Sequence, residues 1–203
     1  MEQSKDIWAF VIALAAVVNG VGIVRLLGGL SDYLRNYSTL NVRHYWVYTL
    51  LAIFQVLAHL LLWWSILGLR TAGHINFLSY LYLLIGPTLL YLCTSIIVPD
   101  IKIPDIKDEA IDLRAQYYSF RKIFFSLLTA FWLWAIFVWP VFGHSFAPTV
   151  PMIILWMLIS LTLFITDNPK VHAVLMVANC AVYAGFIALF AMQLGEVGRM
   201  MTG

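Results

Sequence analysis

The sequence predicts an all-α integral membrane protein, a bundle of about six transmembrane helices with a cytoplasmic interfacial amphipathic helix between spans 3 and 4. Two observations indicate this fold class. Hydrophobic residues make up 63% of the 203 residues and charged residues only 11%, whereas about a quarter of a soluble protein is charged. The charges are also unevenly placed, because residues 100–122 hold five of the ten acidic and five of the twelve basic residues.

Apolar stretches of about 20 residues, the length that an α-helix needs to cross a bilayer, recur along the whole chain. They predict six spans joined by short loops in a single transmembrane domain covering residues 1–203, with residues 100–122 as the connector in the middle. The predicted spans are residues 7–27, 45–69, 75–98, 123–142, 150–165 and 171–194.

The connector is predicted to contain an amphipathic helix that lies at the membrane surface. Pro104 and Asp105 suit a helix start, since an Asp side chain accepts hydrogen bonds from the free N–H groups of the first turn. Basic residues then recur seven apart on one flank. We expect this flank to contact lipid headgroups or a neighbouring subunit, and a plain solvated connector is the alternative. The flank comprises Lys107, Arg114 and Arg121, beside an apolar face of Ile106, Ala110, Leu113, Tyr117, Phe120 and Phe124.

The few polar residues inside the spans are the candidates for a polar interior or pore. Arg25 lies late in span 1 among glycines, where it either reaches the headgroups or faces other helices. Gln55 and His59 share a helical face in span 2 and need hydrogen-bond partners, for which Asn179 in span 6 is the best candidate. Their simplest role is to join two helices. The full set of candidates is Asn19, Arg25, Gln55, His59, Asn179 and Tyr183.

A helix kink is predicted in span 3 at Gly86 and Pro87, because a proline removes a backbone donor from the middle of a helix. Thr88 and Thr94 lie beyond the kink and can donate hydrogen bonds to the carbonyls that are set free. Such a kink either marks a gate or only shapes the helix.

No pattern in the sequence predicts catalysis, a metal or a cofactor. A buried haem needs two histidines deep in facing helices, and only His59 is deep. The chain has no H-E-x-x-H zinc pattern, no G-x-S-x-G motif, no phosphate loop and no dinucleotide fingerprint. We therefore expect a protein that is not an enzyme; an enzyme acting on lipid or quinone is the alternative. The net charge of +2 gives no sign of nucleic-acid binding.

Four segments together resemble a group of small, uncharacterised bacterial inner-membrane proteins. They are RLLGGL at the end of span 1, VRHYW and the closing WW of span 2, the run from GPTLLYL to VPD in span 3, and DLRAQYYSFRKIFF after it. The resemblance covers most of the first two-thirds of the chain. It implies a bacterial inner membrane, and it carries no activity to transfer.

Two functions fit this architecture. The first is a channel-like or passive transport component that is oligomeric, and the second is an accessory or scaffolding subunit of a larger membrane protein assembly. The scarcity of acidic residues within the spans argues against an ion-coupled pump, but not against a passive pore. In either case the expected partners are membrane lipids and further membrane subunits, whether copies of this chain or other proteins.

The basic residues predict the orientation of the chain. Nine of the twelve lie on the side of the connector, and three, Lys5, Arg70 and Arg199, lie on the other side. Because cytoplasmic loops carry an excess of Lys and Arg, the connector is predicted to be cytoplasmic and both termini to be outside.

Cysteine labelling tests this orientation. In a chain whose Cys93 and Cys180 have been replaced, Asp108→Cys should resist a membrane-impermeant thiol reagent in intact cells, and Ser4→Cys should react. The measurement is thiol labelling before and after the cells are permeabilised. The opposite labelling pattern would show that the orientation is inverted.

Overall fold

The computed structural model describes residues 2–36, 41–69, 76–98 and 111–191. They form six α-helices, named α1 (Glu2–Arg35), α2 (Trp46–Gly68), α3 (Phe77–Ile97), α4 (Leu113–Val141), α5 (Val150–Ile165) and α6 (Pro169–Phe186). A π-helical turn, Ile187–Ala191, follows α6. Two short strands, β1 (Val42–Arg43) and β2 (Ile111–Asp112), pair in parallel, with Val42 opposite Ile111 and Arg43 opposite Asp112.

The all-α fold is confirmed, and the length and composition of the helices support a membrane protein. Five of the six described helices are long and apolar enough to cross a membrane, all except α5. Since α5 has 16 residues, it is about 24 Å long, which is less than the hydrocarbon thickness of about 30 Å. The first helix is longer than the predicted span of residues 7–27, because it continues to Arg35.

Four of the other five helices pack against α2, namely α1, α3, α4 and α6. The outer helices follow one another in the order α1, α3, α4, α5 and α6, each packed against the next. Side chains from most of these helices meet in one apolar core, in which the largest fully buried members include Phe54, Leu83, Phe124, Leu163 and Met176.

The connector differs from the predicted interfacial helix. Residues 99–110 lie outside the described residues, and with them Lys107 and the predicted helix start. A helix running without interruption to residue 122 is wrong, because Ile111–Asp112 is extended and paired with β1. The Asp112 carboxylate instead caps α4, accepting from the backbone N–H of Arg114 at 2.9 Å and of Ala115 at 3.1 Å. The described part of the predicted interfacial helix is thus the beginning of α4, continuous with the predicted span 4.

The predicted apolar face does exist on this first part of α4. Tyr117, Phe120 and Phe124 are buried, with 0%, 8% and 0% of their surface exposed. Their rings pack edge to face with one another, at centroid distances of 5.9 Å for Tyr117 and Phe120 and 6.2 Å for Phe120 and Phe124. The apolar residues spaced three and four apart therefore form a helical face that packs inside the bundle.

At the predicted kink site, α3 packs closely against α4. The helix is continuous through Pro87, and Gly86 lies against the Trp134 ring, where an added methyl carbon would be 2.3 Å from the indole. The two helices also exchange hydrogen bonds, since the Tyr82 hydroxyl donates to the Trp134 carbonyl and the Trp134 indole donates to the Tyr82 carbonyl, both at 2.8 Å. The missing side chain of Gly86 thus lets a tryptophan lie flat on α3.

Replacing Gly86 with alanine should separate α3 from α4. The new methyl group would overlap the Trp134 ring, and overpacking of this kind costs about 1–3 kcal/mol, so we expect a lower melting temperature of the detergent-solubilised protein. Gly28→Ala is the matched control, because a methyl group at Gly28 meets nothing within 4 Å. Equal melting temperatures for both variants would contradict the role given to Gly86.

Candidate functional site

Four buried polar residues form one hydrogen-bonded network between α1, α2 and α3. His59 of α2 is at its centre. Its ring Nδ1 lies 2.7 Å from the Asn19 Oδ1 of α1, and its Nε2 lies 2.8 Å from the Thr94 Oγ1 of α3. The Asn19 amide also donates to the His59 backbone carbonyl at 3.1 Å. One histidine therefore joins the two helices on either side of its own.

Gln55, one turn before His59, extends the same network. Its amide nitrogen donates to the Thr94 hydroxyl at 3.2 Å and to the Leu90 backbone carbonyl at 3.0 Å. Within the described residues, its Oε1 is a buried atom with no hydrogen-bond partner. Thr94 was not among the predicted interior residues. Its hydroxyl connects Gln55 with His59, because it contacts both side chains.

The contacts determine which atoms carry the protons. Because the Asn19 amide nitrogen faces the His59 carbonyl, its oxygen faces the imidazole, so Nδ1 of His59 must be the donor. The Nε2 of a neutral imidazole is then an acceptor, and the Thr94 hydroxyl donates to it. Thr94 in turn accepts from Gln55. The neutral form of His59 thus satisfies both ring nitrogens.

This network lies in a packed interior. Asn19, Gln55 and His59 expose 2%, 0% and 0% of their surface. Gly22 brings the α1 backbone against the His59 ring, so closely that an added methyl carbon would lie 2.4 Å from it. Two turns later, a methyl carbon added at Gly29 would lie 2.6 Å from the side chain of Val98, the residue that follows α3. Two of the glycines around Arg25 therefore allow close packing of α1 against its neighbours.

The structure does not bring all six predicted interior residues together. Asn179 is buried on α6, but the prediction that it pairs with His59 or Gln55 is wrong, since Asn19, Thr94 and Leu90 occupy those positions. Tyr183 lies in an aromatic cluster, with its ring centroid 5.1 Å from Phe54 and 4.9 Å from Trp156. Arg25 is half-buried, one helical turn after Gly22.

A second polar cluster holds α4, α5 and α6 together. Arg121 exposes only 3% of its surface, so it does not lie on a free flank for lipid headgroups as the sequence suggested. Its guanidinium donates to the backbone carbonyls of Leu163 at 3.4 Å and of Thr166, and it forms an ion pair with Asp167. These carbonyls lie at the C-terminal end of α5, where a cation is favourable. Arg114, by contrast, is exposed.

His172 connects the same turn to α4. Its Nε2 lies 2.9 Å from the Thr166 carbonyl and must donate to it, so its Nδ1 accepts from the Tyr117 hydroxyl at 2.8 Å. Both His172 and Tyr117 are fully buried. The hydrogen-bond partners of His172 come from α4 and from the turn before α6, so the sequence alone could not predict them.

The chemistry available to these clusters is hydrogen bonding between helices. Among the residues that the structure describes, no group of three or more His, Cys, Asp and Glu side chains could hold a metal ion. Every hydrogen bond of the His59 and His172 rings goes to another segment of the bundle, and neither imidazole is exposed. The geometry supports a structural role for both histidines.

Double-mutant cycles test the pairing of His59. The substitutions His59→Leu and Asn19→Leu should each lower the stability in detergent, and together they should lower it by less than their sum, with a coupling of about 0.6–2 kcal/mol for an interhelical hydrogen bond. The matched cycle of His59→Leu with Asn179→Leu should be additive. A coupling only in the second cycle would show that Asn179 is the true partner.

Comparisons with known proteins give no match for this chain. No family model, no curated protein and no solved structure matches the chain. The roles given to these residues therefore rest on their own contacts, and the resemblance to small bacterial inner-membrane proteins stays a prediction.

Proposed function

We propose that this protein is a non-enzymatic, multi-pass membrane protein that serves as an accessory subunit of a larger membrane protein assembly. The observation that carries the proposal is the burial of its deep polar residues. Asn19, Gln55 and His59 each form hydrogen bonds with a neighbouring helix, so they contribute to the rigidity of the bundle and not to a reaction.

A channel within one copy is less well supported by the same residues. A pore is lined by polar groups that face water along a continuous path. Of the six pore candidates, five expose 5% of their surface or less, and only Arg25 is half-buried. The α1 backbone at Gly22 also occupies the space beside the His59 ring. A pore through this interior would require the network to open.

The outer face of α1 supports association with another membrane protein. It is apolar from Phe10 to Val24, with 79% of Phe10, 61% of Val17 and 69% of Val24 exposed. Two small residues, Ala13 and Gly28, are exposed on this helix as well. Small residues allow a second helix to approach closely in a bilayer, where packing and not the hydrophobic effect drives association. We place the partner subunit, or a second copy of this chain, on this face.

The proposed setting is a bacterial inner membrane that all six helices cross, α5 included. The connector of residues 100–122 then faces the cytoplasm and both termini lie outside. The excess of basic residues on the connector side supports this orientation. Among the described residues, exposed basic side chains such as Arg35, Arg43, Arg114 and Lys122 lie near the helix ends on that side.

Site-specific photo-crosslinking distinguishes a partner protein from lipid on the face of α1. A crosslinker placed at Val17 in native membranes should give a discrete adduct of higher mass, because this side chain is 61% exposed on the proposed contact face. The control position is Leu158 of α5, which is 51% exposed and apolar. It should react only with lipid.

Ion flux in liposomes tests the competing channel hypothesis with the same protein. The purified full chain should pass no ions under potassium or chloride gradients beyond what protein-free liposomes pass. Two results together would reject the accessory role and support the channel hypothesis. They are an anion flux that Arg25→Gln weakens and the absence of a protein adduct at Val17.

A further inference from the structure

A partly open cavity of about 230 Å³ lies between the last turns of α1 and α3 and the first turns of α2 and α4. It is larger than the engineered cavities of about 150 Å³ that bind benzene, so it has room for part of a hydrocarbon chain. Its apolar lining comes from all four helices and comprises Leu26, Leu30, Ala52, Ile97, Val98 and Leu113.

Polar side chains join the lining where the chain enters α2. His44 and Thr49 both border the cavity, and the Thr49 hydroxyl lies 3.3 Å from the His44 Nε2. His44 is exposed, so it lies at the surface end of the cavity. The cavity therefore combines apolar walls with a polar entrance. Such a cavity suits a ligand that has an apolar tail and a polar head.

The charge at this end of the bundle is positive. Of the charged side chains that the structure describes, seven are basic and three are acidic. Two of the acidic ones are engaged, because Asp112 caps α4 and Asp167 pairs with Arg121. The basic residues are Arg25, Arg35, Arg43, Arg114, Arg121, Lys122 and Lys170.

Two arginines stand next to lining residues. Arg43 directly precedes His44, and Arg114 directly follows Leu113. The pairing of β1 with β2 holds them near each other, since Arg43 lies opposite Asp112, two residues before Arg114. Both side chains are exposed. Two guanidinium groups are thus carried within one residue of the lining, at the end of the bundle where the exposed His44 imidazole borders the cavity.

We propose that this cavity is a binding site for an anionic phospholipid. One acyl chain lies between α1, α2 and α3, and the headgroup phosphate lies at Arg43, Arg114 and His44. The charge at the entrance selects this occupant, because basic clusters between membrane helices recognise anionic headgroups. This site is independent of the accessory role, which concerns the outer face of α1.

Native mass spectrometry of the detergent-solubilised full chain tests the site with two lipids that have the same tails, dioleoyl phosphatidylglycerol and dioleoyl phosphatidylcholine. Each basic residue near an anionic headgroup strengthens binding roughly fivefold. We therefore expect the anionic lipid to bind about 25-fold more tightly, and the double variant Arg43→Gln, Arg114→Gln to lose this preference. The control variant Lys122→Gln, Lys170→Gln removes two charges from the same end and should keep it.

A second variant tests the cavity itself. Ala52→Phe places a ring inside the lining, and it should weaken binding of both lipids, with the melting temperature reporting whether the variant is folded. Millimolar inorganic phosphate, which has no tail, should not displace the anionic lipid. Equal affinity for the two lipids, an equal loss in the lysine control, unchanged binding in a folded Ala52→Phe variant, or displacement by phosphate alone would each overturn the proposal.

Discussion

The imidazole of His59 determines how the first three helices meet. Its two ring nitrogens point in different directions, and in a membrane interior each unsatisfied polar group costs several kcal/mol. One histidine therefore requires partners on two sides, which Asn19 of α1 and Thr94 of α3 supply. The backbone of α1 comes close enough because residue 22 is a glycine. The packing of α1 against both α2 and α3 depends on this arrangement.

Backbone carbonyls are the main acceptors that join the helices. Gln55 donates to Leu90, the Trp134 indole donates to Tyr82, and Arg121 donates to the end of α5. A carbonyl in a helix has a second lone pair that the helix itself does not use. Only 11% of the residues are charged, so side-chain acceptors are few. The second lone pair of a backbone carbonyl is available in every helical turn. A few donors can therefore hold an apolar bundle in one arrangement.

Patterns along the chain predicted the helices and their buried faces, whereas contacts between distant segments could not be predicted. Tyr117 and Phe124 were recognised as one face because helical spacing is local information. The partner of His59 was assigned to Asn179, since nothing in the sequence shows that α1 and α3 flank this part of α2. The break at Ile111–Asp112 was missed for the same reason, because it comes from pairing with Val42–Arg43. The buried role of Arg121 depends on the end of α5, 42 residues later.

The shortness of α5 has a consequence for the surrounding lipid. Arg121 satisfies carbonyls at the end of this helix, so α5 can stop about 6 Å short of a full hydrocarbon crossing. Its neighbours α4 and α6 are longer, and its outer side chains Leu155, Leu158 and Leu161 are exposed. A bilayer adapts to such a hydrophobic mismatch by thinning locally, at a cost that rises with each ångström. With α5 crossing the membrane as we propose, the bilayer would be compressed on one side of the protein only, and that asymmetry would favour thin regions of the bilayer and neighbours whose spans are equally short.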